Sequence, residues 1–246
     1  LSAAMGRLFA FILPFWLLLS SASVLAEPLK VGMPLPGQVP FFWRDDAGEY
    51  RGIYADVLRL LARDLEQELV FVPLSQARLL KHFEIGEVDI EAGVTRQPGD
   101  SAALRRVSLF SQSFGLVNEV IIYRPELTFP VFILKDLAGQ RVAAVRGSIV
   151  PEYLVREDFA NEWQIAQRVH RGWNDIGLMK EAVALHYQRS GSLNYRISLP
   201  YESNPVSFRL HRSRADLLPA MNESIEQLRQ SGKLDEIVCK YLCGTQ

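Results

Sequence analysis

Several things are scarce in this sequence, and each scarcity excludes something. Two cysteines in 246 residues cannot make a multi-bridge disulfide scaffold. The four histidines, His82, His170, His186 and His211, show no metal-ligand spacing. No Gly-x-Ser-x-Gly turn is present to carry a serine nucleophile. Basic residues are not in excess, with 27 Lys and Arg against 28 Asp and Glu. That balance argues against the basic stripe that meets nucleic acid and against a polybasic membrane patch. Beyond residue 26 no apolar run reaches the roughly 20 residues that span a bilayer. No Gly/Ser-rich linker divides the chain.

What is there begins with the first 26 residues. Arg7 is their one charge, Leu8 to Leu19 form an apolar run, and small residues lead to Val24-Leu25-Ala26. A basic start, a short apolar core and a small-residue cut read as a secretory signal peptide cleaved after Ala26. The run is too short for a membrane span, and Pro14 interrupts it. Cleavage leaves 220 residues (246 − 26), enough for one large or two small domains. Export to an oxidising compartment permits a Cys239–Cys243 disulfide, because residues four apart share a helix face. Such a bridge closes a very short loop and should stabilise little. Two cysteines without a nearby histidine are an incomplete metal site, so no metal and no cofactor are expected.

The mature chain alternates strands and helices. Leu29 to Met33 reads as a strand, followed by a proline-rich loop and Phe41-Phe42-Trp43. Val57, Leu58, Leu61 and Leu65 recur at helical spacing, and Leu69 to Pro73 makes a second strand. Ser75 opens a helix that stops at Gly86, and Val88 to Gly93 is a third strand. This order signals a parallel sheet covered on both faces. A weaker repeat follows. It has strands at 117–123, 141–145, 175–179, 193–199 and 206–210, a helix after Ser148 through Val155, and helices over 181–189 and 215–228.

Seven segments in order carry a family resemblance: Leu29-Lys30-Val31-Gly32 with Pro40-Phe41; Gly52 to Leu58; Gly86-Glu87-Val88-Asp89; Phe110-Ser111 with Phe114; Leu134 to Gly139; Arg146-Gly147-Ser148; and Gly232 to Ile237. The chain resembles the periplasmic solute-binding proteins that serve polar amino-acid ABC transporters, the family 3 extracellular solute-binding proteins. The resemblance implies an α/β, two-lobed type II periplasmic binding fold. Each lobe would be a mixed sheet flanked by helices, with two crossing hinge strands at about 118–124 and 203–210. Lobe 1 would comprise 27–121 plus 208–246, and lobe 2 would comprise 122–207. It also implies a periplasmic monomer that closes on a small-molecule ligand, an inner-membrane ABC permease as partner, and no catalytic residues. Alternatives are a lyase of the cyclohexadienyl dehydratase type, with Glu181 or Glu91 as general acid, and a sensor that presents its ligand to a receptor.

Candidate ligand residues follow from the chemistry of a zwitterion. Gly147 and Ser148 match the family's carboxylate loop and would supply backbone donors where a strand turns into a helix. Phe42 or Trp43 would line the cleft, since three consecutive aromatics cannot all face one core. The family's Thr followed by an Arg that grips the carboxylate points to Thr95 with Arg96 or Arg105. Arg78, near a helix N-terminus, calls for an anion such as the ligand, Glu91 or Asp89. Where the family often has an ammonium-binding Asp, this chain has Lys180, with Glu181 next. Either Glu181 takes that role or the ligand is an anionic organic acid.

Overall fold

The computed structural model describes residues 27–95, 100–127 and 133–243. The expected signal peptide and Arg96 lie outside the described residues. The first half contains β1 (Leu29–Leu35), the hairpin β2 (Trp43–Arg44) and β3 (Tyr50–Arg51), α1 (Ile53–Asp64) and β4 (Leu69–Ser75). It continues through α2 (Gln76–Glu84), β5 (Ile90–Thr95), α3 (Ala102–Val107) and β6 (Ser108–Phe110). The second half runs β7 (Gly115–Tyr123), β8 (Arg141–Val145), β9 (Val155–Phe159), α4 (Glu162–His170), β10 (Ile176–Lys180), α5 (Glu181–Ser190) and β11 (Arg196–Ile197). Then β12 (Glu202–His211) returns, and α6 (Leu218–Gln230) and α7 (Lys233–Leu242) close the described chain.

The main sheet runs β4-β1-β5-β12-β7-β10-β8-β9, with β6 beside β12 and β11 beside β7. It divides into two matching halves. In one, the parallel strands β4, β1 and β5 are followed by antiparallel β12 and then β6. In the other, parallel β9, β8 and β10 are followed by antiparallel β7 and then β11. Each half is therefore completed by a strand that enters from the other. Between them, β7 and β12 pair antiparallel, from Gly115↔Val206 to Glu119↔Glu202. This is the two-lobed α/β architecture with two crossing strands that the resemblance implied.

The elements form for local reasons. In α1 the buried residues Ile53, Tyr54, Val57, Leu58 and Leu61 make one face. In α2, Leu79 and Phe83 do the same one turn apart. Gly93 is required where it stands: its φ is +68°, and a Cβ there would fall inside the Tyr54 ring. Phe114 stacks on Phe208 at 4.1 Å, packing the entry to one crossing strand against the other.

Several expectations are corrected. No helix follows Ser148. Residues 148–154 are irregular, and Val155–Phe159 is the edge strand β9, paired only with β8. Its Val-Arg-Glu-Asp-Phe sequence is mostly polar, as an edge allows. The lobe's helix comes later, as α4, capped by the Asn161 side chain accepting from Gln164 N–H at 3.0 Å. The strand expected over 193–199 shrinks to Arg196–Ile197. The helix expected from Ala215 starts at Leu218, after a 3-10 turn over Arg212–Leu217.

A buried ion network underlies lobe 1. Arg209, on β12 and 3% exposed, lies 3.3 Å from Glu91 and donates to both Asp100 oxygens at 2.9 and 3.1 Å. Its guanidinium sits 5.4 Å from the Phe110 ring centroid. Gln76 Nε2 donates to Glu91 Oε1 at 3.1 Å. Burial holds the Glu91 carboxyl above the ordinary range, against the pull of Arg209 and Gln76. The network joins β12, β5, α2 and the segment before α3.

The C-terminal end of the terminal helix is fastened to the start of α1. Lys240 and the Tyr241 hydroxyl each donate to Asp56 at 2.6 Å, and the Tyr241 oxygen accepts Gly52 N–H at 3.2 Å. Cys239 and Cys243 are disulfide-bonded as expected.

Two outcomes follow. Arg209→Ala leaves Glu91 and Asp100 without their buried counter-charge and should cost roughly 3–5 kcal/mol in denaturant unfolding. Replacing Cys239 and Cys243 together by serine should cost no more than about 2 kcal/mol, because the closed loop is so short. A larger loss in the second case would mean that the bridge does more than fix the last turn.

Candidate functional site

Open α/β sheets place ligands beyond the carboxyl ends of their parallel strands. In lobe 1 those ends are the loop after β1, Ser75 at the start of α2, and Thr95. In lobe 2 they are Arg146-Gly147-Ser148 after β8, Asn161-Glu162 after β9, and Lys180-Glu181 after β10. Among the described residues the two sets meet through one hydrogen bond: Gln38 Nε2, after β1, donates to Glu162 Oε2, in the first turn of α4, at 2.6 Å.

Glu162 is the centre of this contact. It is 7% exposed. Its other oxygen accepts the main-chain N–H of Lys180 at 3.0 Å and lies 3.6 Å from Lys180 Nζ. A carboxylate therefore stands at the end of β10 after all, supplied by a different element. Lys180 is neutralised there and does not offer a free cation.

A row of charges crosses the hinge on the same face. Lys180 pairs in register with Glu119 on β7, and Glu119 with Glu202 on β12. The Glu119 side chain makes no hydrogen bond to any described residue. Burial pushes its carboxyl up to about 7; Lys180 pulls it down, while Glu162 and Glu202 push it further up. Neighbouring positions serve the other face: Asn118 Nδ2 donates to Glu181 at 2.6 Å, and Asn118 Oδ1 accepts from Ser203 Oγ at 2.8 Å.

The lobes also touch through an apolar cavity of about 80 Å³. Phe41, Tyr54, Phe114, Val117, Ala182 and Val238 line it, so it draws on both lobes and on α7. A larger open groove of about 460 Å³ lies beside Tyr50, Arg59 and Phe71, at the beginning of β4 and away from the strand ends.

The sequence-predicted residues divide between these places. Lys180 falls in the charged row, while Glu181 lies on the other face, bonded to Asn118. Thr95 ends β5 opposite Val206, half-buried. Gly147 adopts φ +83° in a tight turn, where Ser148 N–H and Oγ both donate to Val145 O, at 3.0 and 2.7 Å. The turn is braced from β9 by Arg156 donating to Ser148 O at 3.2 Å. Its donors are those of a turn, and no helix dipole stands behind them. Phe42 is buried, stacked 6.1 Å from Tyr54, beside Phe41 at 5.0 Å. Both fit one core because 38–42 is a closed turn, with Gln38 and Phe42 bonded to each other, and strand alternation does not apply. Trp43 meets Tyr241 edge-on at 5.7 Å. Arg105 is exposed on α3 and donates to Asp100 O. Arg78 is exposed on α2 and forms no ion pair among the described residues, since Glu91 pairs with Arg209 and Asp89 with Arg214.

Sequence reasoning did not single out Gln38, Glu119, Glu162, Glu202 or Arg209. Glu119 and Arg209 carried a readable signal, a charge inside an apolar strand. Glu162 carried none until α4 was in place.

Comparisons with known proteins agree with this architecture. No curated protein matches the chain. An ancestral cationic amino-acid solute-binding protein is 22% identical, with 87% of this chain and 95% of that one covered and a TM-score of 0.74. The GluR0 ligand-binding core in complex with L-glutamate is 21% identical over 88% and 99%, with a TM-score of 0.74. A histidine kinase sensor domain similar to periplasmic binding proteins is 20% identical over 87% and 96%, with a TM-score of 0.69. At these identities the likeness is one of fold. The model of the bacterial extracellular solute-binding proteins, family 3, matches residues 29–244. The chain therefore belongs to the family 3 bacterial extracellular solute-binding proteins.

Proposed function

We propose that this chain is exported to the periplasm by residues 1–26, captures a small polar solute by closure of its two lobes, and delivers it to an inner-membrane ABC permease. The lobes would be 27–121 with 208–246, and 122–207, acting as a monomer without cofactor. The observation that carries this reading is the Gln38–Glu162 bond, which joins the loops at the strand ends of opposite lobes. A solute held between these loops contacts both lobes only when they are closed, and that difference shifts the population.

The same geometry favours an amino acid over an anionic organic acid. Lys180 is engaged by Glu162, and Glu119 and Glu202 add negative charge along the same row. An ammonium group fits such surroundings, with Glu162 as its acceptor at the end of β10. Ser148 N–H and Oγ are engaged by Val145 O, which leaves Gly147 and Thr95, with Arg96 or Arg105, for a carboxylate. An ancestral cationic amino-acid binder of the same fold supports this choice. The dehydratase alternative is weakened because Glu91 is held by Arg209 and Gln76 and Glu181 by Asn118.

Thermal-shift screening of L-amino acids, dicarboxylates and aromatic acids tests the reading. A solute at 100 times its Kd adds about 2.7 kcal/mol, or roughly 5–10 °C in Tm for a chain of this size. L-Amino acids should give that shift, and Glu162→Gln should remove most of it. Stabilisation by dicarboxylates alone would reverse the charge assignment, and turnover of a prephenate-like acid would make the chain an enzyme.

A further inference from the structure

We propose that solute capture is coupled to a proton held on Glu119 at the crossing of β7 and β12, so that a solute bringing positive charge into the cleft binds with loss of that proton. The inference rests on the solute-binding reading and adds to it a charge class and a pH dependence.

The geometry is that of a shared charge. Three carboxylates and one ammonium share the row: Glu202 on β12 is in register with Glu119 on β7, Glu119 with Lys180 on β10, and Glu162 on α4 meets Lys180 Nζ at 3.6 Å. The phenols of Tyr201 and, beyond it, Tyr153 face this row at Glu119 and Glu202, and that of Tyr187 faces it at Glu162. On the opposite face Glu181 of α5 is bonded to Asn118. Lys180 is already committed to Glu162 through both its main-chain and side-chain nitrogens. With Glu119 protonated, Glu162, Glu202 and Lys180 sum to −1; ionising Glu119 makes it −2. The second negative charge has no cation of its own in the row. A solute ammonium seated at Glu162 would supply one, and it would do so at the bond that joins the lobes. Coupling of this kind is reciprocal: what the solute does to the proton, the proton does to the solute.

The position on a crossing strand gives the coupling its reach. Glu119 is the last residue of β7 paired with β12 and the first paired with β10. A charge there acts on both partners of the hinge.

Two measurements test this, one of which needs no solute. In the free protein the native carboxyl holds its proton up to about pH 7, while the unfolded one releases it near 4.5. Between those values the native state binds the extra proton, so stability falls as pH rises. The Tm of the wild type should therefore drop relative to that of Glu119→Gln from pH 4.5 to 7 and then run parallel. A difference that stays flat across this range overturns the proposal. Glu202→Gln should move the drop to lower pH by removing a repulsion, which keeps the test open if the Glu119→Gln variant folds poorly.

The second measurement is calorimetric titration at pH 7 in phosphate and in Tris, using L-arginine and the best solute from the thermal screen. The apparent heat should differ between buffers for the wild type and agree for Glu119→Gln. Affinity should rise roughly tenfold between pH 6 and 8, one pKa unit of coupling being a factor of ten. Binding with equal heats in both buffers overturns the coupling and leaves the solute reading intact. If no solute binds, the solute reading fails and the coupling fails with it, while the Tm profile still reports whether Glu119 titrates.

Discussion

The structure depends on one pairing, that of Gly115–Glu119 with Glu202–Val206. Both strands run on beyond it, each into the sheet of the opposite lobe. Backbone N–H and C=O groups buried in a sheet must stay paired. The crossing strands are held by β10 and β11 at one end and by β5 and β6 at the other. They cannot slide past one another without breaking both lobes. A twist about the shared segment is the motion such a pairing would leave to the lobes. The packing agrees. Phe114 and Phe208 stack where β7 leaves lobe 1, and α7 is fastened to α1 beside the same junction.

That constraint explains why charge is tolerated where it is. A hinge segment opens to water as the lobes part, so it cannot be wholly apolar. Glu119 interrupts Val117, Val120, Ile121 and Ile122, and its row ends in Lys180 on one side and Glu202 on the other. Deep in lobe 1, where no motion is needed, the chain uses charge differently. Arg209 is enclosed and met by Glu91 and Asp100, a closed network that locks β12 to β5 and to the start of α3. The two sites touch β12 at its two ends, the first through Glu202 and the second through Arg209.

Much of the fold was legible in the sequence, for stated physical reasons. α1 and α2 announce themselves by apolar spacing, and β1, β5 and β8 by short apolar runs between turn residues. The family segments supplied the crossing topology, which no local pattern encodes. What could not be read is what tertiary contact decides. β9 is a polar edge strand that exists because β8 offers it hydrogen bonds. Without β9 the chain after Ser148 reads as a helix, and α4 is displaced from view. Lys180 and Glu181 were legible as the end of β10 and the start of α5, and the disulfide by spacing. Phe42 was legible as important, and the structure puts its ring in the core because 38–42 folds as a turn.

Lys180 shows how the missed element changes the chemistry. Read alone, a lysine at the end of β10 reverses the sign of the site and calls for an anion. Read with α4 in place, it is the inner partner of Glu162, whose carboxylate occupies the end of the strand in its stead. What is retained at that place is a negative charge at a strand end facing the other lobe. Supplying it from α4 has a consequence that supplying it from β10 would not. Glu162 is itself held by Gln38 of lobe 1, so the group that would receive a solute also joins the lobes. A carboxylate accepts several hydrogen bonds, so a solute ammonium would join Gln38 on Glu162, and recognition and closure would then act on the same group.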